Sequence, residues 1–487
     1  MPATQPRKIS TTLRDNMDTL NRELGVGKSF DMICRELHYA GRDFALYFID
    51  GFAKDDIMNR IMEHLANLQP QDLSTQQIKQ LVQTQIGYLE VETVDNLEDL
   101  KTNVLSGQLV FLIDGQDNGI LIDARTYPAR GPEEPDLERV VRGARDGFTE
   151  TMCFNIALTR RRIRDDGLRM EYVRAGARSK TDICVSYIED IANPDLVELI
   201  KNKISEIEID GLPMAEKTVE ELVFGRNWNP YPLVRYTERP DVAAVHLLEG
   251  HVLIYVDTSP SVMITPTTFF HHLQHAEEFR QKPIIGVFVR WLRFVAILMS
   301  IFLSPLWLGL VSSPSIVPGA WHFLLPDKVL TISVFWQLLA AEFGLSLLRM
   351  AAVHTPNPLG AALGLVAALM IGQVAIDVGF FTNEAVLVTS IAAISTFATP
   401  SYELGLANQI VRIGMLALTG LFGIWGFLAS VLLWLVLMVR TKALDTPYFW
   451  PLIPLNRAAL FHVLLRPPAG WKASRPKILH PSDDTPN

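Results

Sequence analysis

Apolar residues along this chain fall into two regimes. From Phe288 to Val439 they run almost unbroken, in stretches long enough to cross a hydrocarbon core of roughly 30 Å. Four are full length: Phe288 to Val311, Val329 to Met350, Leu359 to Phe381 and Ile413 to Val439. A fifth, Ala385 to Thr399, is shorter and ends in Pro400. Before residue 288 the apolar runs are brief and alternate with helical spacing, which predicts mixed α and β structure.

In that first part, Phe44 to Ile49 (FALYFI), bounded by Asp43 and Asp50-Gly51, predicts a buried strand. Asp55 to Leu68 places Ile57, Ile61, Met62, Leu65 and Leu68 at helical spacing, and Gln108 to Ile113 with Gly119 to Asp123 predicts a hairpin. Two prolines and a glycine in Arg130 to Pro135 mark a linker. Beyond it the pattern predicts a long helix from Leu137 to Arg169, broken near Gly143 and Gly147, then a strand at Asp182 to Tyr187. A helix opened by Asn193-Pro194 follows, then a strand at Glu206 to Ile209 and a hairpin of Val242 to Leu248 with His251 to Val256 around Glu249-Gly250. The expected organisation is a flexible segment over 1–28, α/β lobes over 29–130 and 131–287, an all-α membrane bundle over 288–440 and a basic tail over 441–487.

Charge sharpens this division. Residues 288–440 carry only 6 Lys or Arg and 5 Asp or Glu, too few to keep a globular domain in water, whereas residues 1–287 carry 32 and 45. A multi-pass membrane protein is expected, and the acidic first part excludes a nucleic-acid binder working through a basic surface. Arg290 and Arg293 place the α/β lobes on the cytoplasmic side, and the uncharged loop after the first span belongs outside. Five spans would leave the tail outside despite Arg440, Lys442, Arg457, Arg466, Lys472, Arg475 and Lys477. Four full spans with 385–409 re-entrant, or broken into half-helices, put it back in the cytoplasm; five spans is the alternative. The N-terminus lacks a secretory h-region, and Cys34, Cys153 and Cys184 lack metal or disulfide spacing.

Candidate chemistry is sparse. Gly25-Val26-Gly27-Lys28-Ser29 imitates the end of a phosphate-binding loop, but Arg22 stands where glycine is needed, so a turn before a helix at Phe30 is expected. His271, His272 and His275 lack an evident third metal ligand beyond Glu278 and read as a solvated juxtamembrane helix. Arg160, Arg161, Arg162 and Arg164 form a basic patch, either salt-bridged to the acidic lobes or open to anionic lipid or a partner. No nucleophile and base arrangement supports an enzyme, and no cofactor is expected. Inside the spans, Glu342, Gln373 and Asp377 cost energy at depth and are candidates for an ion pathway. The bland alternatives are a Glu342 pair with Arg349 or a hydrogen bond to a neighbouring helix, and an Asp377 that snorkels to the interface. Gly360, Gly364, Ala368 and Gly372 form a packing stripe; beside it Leu365, Leu369, Gln373 and Asp377 pass from apolar to polar. Around an axis that second face supplies a hydrophobic gate and a carboxylate ring, which favours cations.

The residues also resemble a known family. Arg145-Asp146-Gly147-Phe148-Thr149-Glu150, Asn155, Arg160-Arg161-Arg162, Gly176 to Thr181 and Tyr187 to Asn193 are similar to the core of the GerA-type A subunits of spore germination proteins. Arg239-Pro240-Asp241, Leu248-Glu249-Gly250, Ser259-Pro260 and Pro447 to Pro451 extend the resemblance, which covers about Phe30 to Pro454. Leu347 to Pro356 and Phe397 to Asn408 are similar to the stage V sporulation branch, and Arg349-Met350-Ala351 departs from the Arg-Glu-Ala of nutrient receptors, against direct nutrient sensing. The resemblance implies a spore inner-membrane protein, a ring-like homo-oligomer such as a pentamer, conducting monovalent cations, and a small membrane partner beside other germination proteins. A non-conducting assembly scaffold is the competing expectation. No internal repeat supports a transporter.

Overall fold

The computed structural model describes residues 7–52, 55–66, 91–124, 138–225, 228–326, 332–354, 373–465, 475, 477–479 and 481. The chain divides into two compact units. One comprises 1–226, 236–266 and 472–487; the other comprises 227–235 and 267–471.

The first unit is α/β and contains two five-stranded sheets. In its first lobe, α1 (Leu13–Leu24) precedes the hairpin of β1 (Met32–Tyr39) and β2 (Arg42–Ile49), then come α2 (Asp55–Ala66), β3 (Val91–Val94), α3 (Leu97–Leu105), β4 (Leu109–Ile113) and β5 (Gly119–Ile122). The second lobe runs α4 (Met152–Arg160), β6 (Leu168–Ala175), β7 (Thr181–Ile188), α5 (Pro194–Ser205), α6 (Ala215–Val223), β8 (Arg235–Thr237), α7 (Pro240–Leu248), β9 (Val252–Val256) and β10 (Val262–Thr265). Every residue of the FALYFI run is buried because its sheet is covered on both faces. Ala45, Tyr47 and Ile49 meet α1 and α3, while Phe44, Leu46 and Phe48 share the other face with Met58 and Met62 of α2.

The two lobes are one design used twice. Their sheets have the same order, β1-β2-β4-β5-β3 and β6-β7-β9-β10-β8. The details recur too: Asn16 clamps the backbone of Ser10 through both amide atoms (2.9 and 2.7 Å), as Asn155 clamps Thr149 (2.7 and 2.6 Å). The carboxylate that follows the fourth strand of each lobe then accepts from the first N–H of the leading helix, Asp114 from Leu13 and Asp257 from Met152, both at 3.1 Å. These bonds satisfy N–H groups that a helix start leaves open.

Several expected elements are replaced. Of the segment 1–28, the described residues 7–28 are not simply flexible, since Leu13, Leu20 and Leu24 of α1 lie in the core. No helix begins at Phe30; α1 ends at Gly25 in a left-handed cap and the turn leads into β1. The long helix over 137–169 shrinks to α4, because the backbone at Glu138 and Ala144 is held irregular by the buried Arg239, whose guanidinium donates to both carbonyls at 3.2 and 2.9 Å. Residues 206–209 form no strand; Ile209 and Asp210 instead accept from the N–H groups of Ala177 to Ser179. Val242 to Leu248 is helical, started by Pro240 at its first turn and stopped at Gly250 (φ 98°), so no hairpin turns there.

The second unit is helical. It contains α8 (Ala276–Arg280), α9 (Pro283–Ser312), α10 (Val334–His354), a helical turn at 373–377, α11 (Asn383–Phe397), α12 (Tyr402–Arg440), a short ladder of β11 (Lys442–Ala443) and β12 (Thr446–Pro447), and α13 (Arg457–Leu464). Among the described residues, α9 and α12 are long and apolar enough to cross a membrane. The apolar α11 has 15 residues, about 22 Å. It breaks off before Pro400, and Ser401 caps α12 by accepting from Leu404 N–H at 3.2 Å.

The expected span over 413–439 is not one straight crossing. Gly423 sits inside α12 at φ 59° and ψ −142°, a combination that glycine alone adopts readily. Arg412 reaches Ser300 of α9, and Trp434 meets Phe302 at 5.2 Å between ring centroids. In a straight helix residues 412 and 434 would be about 33 Å apart, yet their contacts on α9 are about 3 Å apart in rise. Hence α12 folds back at Gly423 into two antiparallel arms. A Cβ on Gly426 would lie 2.1 Å from the Leu418 carbonyl oxygen, which shows how closely the arms approach. The start of α9 and the residues after α12 consequently lie at one end, where Arg290 donates to the carbonyls of His462 and Val463.

Candidate functional site

Helix spacing brings three groups of α10 onto one face: Glu342, Ser346 and Arg349. The first arm of α12 presents Gln409 and Arg412 to them. Arg412 Nη2 donates to Glu342 Oε2 at 2.7 Å, and Arg412 Nε lies 2.7 Å from Oε1. Both residues are 1% exposed, so this is a fully buried ion pair. Arg412 also donates to the Ser300 carbonyl of α9 and to Thr396 Oγ1 of α11 at 3.1 Å. One guanidinium therefore ties together four helical segments. Burial on this scale costs several kcal/mol per ion and is tolerated because the charges cancel and both terminal nitrogens of the guanidinium find acceptors.

Gln409 extends the network. Its Nε2 donates to Ser346 Oγ at 2.8 Å and to Glu342 Oε2 at 3.4 Å, while its Oε1 accepts from Arg349 at 3.2 Å. Of the two structural alternatives for Glu342, bonding to a neighbouring helix is the one found and the pair with Arg349 is not: Arg349 bonds Gln409 and lies 5.2 Å over the Phe397 ring. The Glu342 carboxylate is committed to Arg412. Arg412 escapes a hydropathy reading because it sits at the edge of an apolar run. One turn before it, Asn408 is fully buried with no protein partner for either amide atom, a setting in which ordered water is usual.

The other sequence-marked residues of this unit are dispersed. Gln373 and Asp377 are exposed, one turn apart, and Asp377 is followed by a helix stop at Gly379 (φ 75°). Leu365, Leu369, Gly360, Gly364, Ala368 and Gly372 lie outside the described residues. The histidines are not a solvated helix. His271 and His272 are buried in a 3-10 turn, and His275 caps α8 by accepting from Glu277 N–H at 3.2 Å. Burial, then the positive charge of Arg235, lower the His272 pKa to about 3. Beside them Glu278, fully buried, holds both Arg290 (2.7 Å) and Arg293.

In the α/β unit the basic run is divided between interior and surface. Arg160 is 1% exposed and joins the lobes, with Nε donating to Asp31 Oδ2 at 2.9 Å and Nη2 to the Leu168 carbonyl at 3.3 Å. Arg162 grips Asp146 through both carboxylate oxygens at 2.7 Å. Arg161 and Arg164 remain exposed. The patch reading is corrected for Arg160 and Arg162, whose donors face protein. Lys28 of the glycine-rich turn pairs with Glu189 at 2.9 Å.

Over residues 18–478 the sequence matches the Bacillus/Clostridium GerA spore germination protein family. The chain belongs to this family. Stage V sporulation protein AF of Bacillus subtilis (strain 168) is 46% identical over 96% of this chain and 95% of that protein. Spore germination protein B1 of the same organism is 28% identical over 98% and 99% of the two chains. Among solved structures, the N-terminal domain of the A subunit of the Bacillus megaterium spore germinant receptor GerK3 aligns with 55% of this GerA-family chain and 99% of its own, at 26% identity and a TM-score of 0.43.

Proposed function

We propose that this GerA-family protein is a subunit of an oligomeric, monovalent-cation channel of the spore inner membrane that releases ions and amplifies germination. Its supporting observation is the exposed Gln373 and Asp377 pair, one turn apart on a helix otherwise bordered by apolar positions. A carboxylate at a helix end with no partner among the described residues becomes, when copies surround an axis, a ring that concentrates cations. In this reading the leucines at 365 and 369 supply the gate, and the α/β unit receives the signal. Glu342 and Arg412 hold the bundle rather than the ion. The α/β unit and the basic residues Arg440, Lys442 and Arg457 face the spore core, in keeping with the positive-inside rule and with both ends of the helical unit lying together. A small membrane protein and other germination proteins are the expected partners.

The test is conductance of the reconstituted full-length protein. Asp377→Asn should lower cation current or cation-over-anion selectivity, and a bulky polar residue in place of Leu369 should leak. Unchanged currents in Asp377→Asn protein that still assembles remove that carboxylate from the path. If the wild type assembles and conducts nothing, it is a scaffold for the germination machinery.

A further inference from the structure

We propose that α13 and the loop before it form an interfacial element docked on an anionic lipid surface, a role distinct from conduction that rests on the membrane reading above. On a helix packed in water, apolar positions turn inward. On α13 they also turn outward: Ala458 and Phe461 (49% exposed) lie on its outer side, flanked by exposed Leu465 (38%) just after the helix and by exposed Leu452, Ile453 and Leu455 (59%) in the loop before it. No residue of α13 is fully buried.

Its position says what covers this face. The last carbonyls of a helix lack intrahelical partners, and here those of His462 and Val463 accept from the Arg290 guanidinium of α9 at 3.1 and 2.9 Å. Arg290 is itself held by the buried Glu278. This pins α13 at the charged end of the apolar helix α9, level with exposed Phe288, Trp291 and Leu292, where an apolar span meets its polar boundary. The lipid-facing surface of α9 therefore continues onto α13. Exposed Arg440 ends α12 and exposed Lys442 and Arg457 follow it, opposed by the exposed Asp445, a balance that suits anionic headgroups. A short, mostly apolar helix that leaves Phe461 exposed, with exposed leucine and isoleucine in the loop before it and cations beside it, suits the interface plane.

Photocrosslinking of the full-length protein in lipid nanodiscs tests this, with a benzophenone amino acid at position 461, 460 or 298. Position 298, on the exposed face of α9, reports whether the bundle is in lipid at all. Adducts with lipid at 298 and 461, and few at the inward 460, are expected. Replacing Arg457 and Lys442 by Gln should lower the yield on anionic lipid by up to about fivefold per cation, with little change on zwitterionic lipid. Lipid adducts at 298 with polypeptide adducts at 461 would show that a second copy or another protein covers α13 and overturn the inference. Lipid adducts at 298 with none of either kind at 461 overturn it equally, and no lipid adducts at 298 defeats the membrane reading itself.

Discussion

Arg412 and Trp434 stand on opposite sides of Gly423 in α12, yet they touch α9 at Ser300 and Phe302, two positions apart. A sequence window cannot register this, because Ile413 to Val439 has the composition and length of one span. The reversal predicts a distance. Spin labels at the exposed Ile410 and Leu432 should lie well inside the roughly 33 Å that a straight helix would impose. Gly423→Ala, which forces a side chain into this backbone region, should cost about 1–3 kcal/mol in thermal unfolding of the detergent-solubilised protein. A label separation of about 33 Å in the native protein would show that α12 is straight.

Removal of either member of the Glu342–Arg412 pair leaves the other as an uncompensated charge among four helical segments. Glu342→Leu and Arg412→Leu should each destabilise the helical unit by about 3–5 kcal/mol, and the double variant should recover much of that loss. A double-mutant cycle on thermal unfolding reads it directly. Additive single effects would mean that the two side chains act independently.

Part of this architecture was legible in the sequence. The two regimes, the FALYFI strand, the β4–β5 hairpin and the break at Pro400 follow from local signals: a run buried on both faces, a turn between two apolar runs, a ring that cannot continue a helix. The failures share a cause, since each depends on a distant group. Residues 138–148 look helical until Arg239, far along the chain, takes their carbonyls. Val242 to Leu248 looks like a strand because a helix buried on most sides loses its polar face. The duplication of the lobes is carried by asparagine clamps and strand order, not by repeated sequence. At the candidate site Glu342 was marked by its depth, but its partner Arg412 was not, because ion pairing between helices is set by packing rather than by spacing.

The basic run at 160–164 divides by what each guanidinium faces. Arg160→Ala strands Asp31 at the junction of the lobes and should cost about 3–5 kcal/mol, as loss of one partner of a buried pair does. Arg164→Ala, at an exposed position, should stay within about 0.5 kcal/mol. Differential unfolding of the full-length protein separates the two. Equal effects would contradict an interlobe role for the Asp31–Arg160 pair.

Acid should weaken the helical unit through His272. Burial and the nearby Arg235 lower its folded pKa to about 3 from an ordinary 6.5, so the proton binds the unfolded chain more tightly. Above about pH 6.5 both states are neutral at this residue and nothing is lost. As pH falls from 6.5 toward 3 the unfolded state gains a proton that the folded state refuses, and stability drops by about 1.4 kcal/mol per pH unit. Between pH 6.5 and 5 the loss is about 2 kcal/mol. His272→Gln removes the titration, so its stability should fall less steeply over that interval even if it starts lower. Parallel pH profiles for the variant and the native protein would show that His272 does not carry the acid sensitivity.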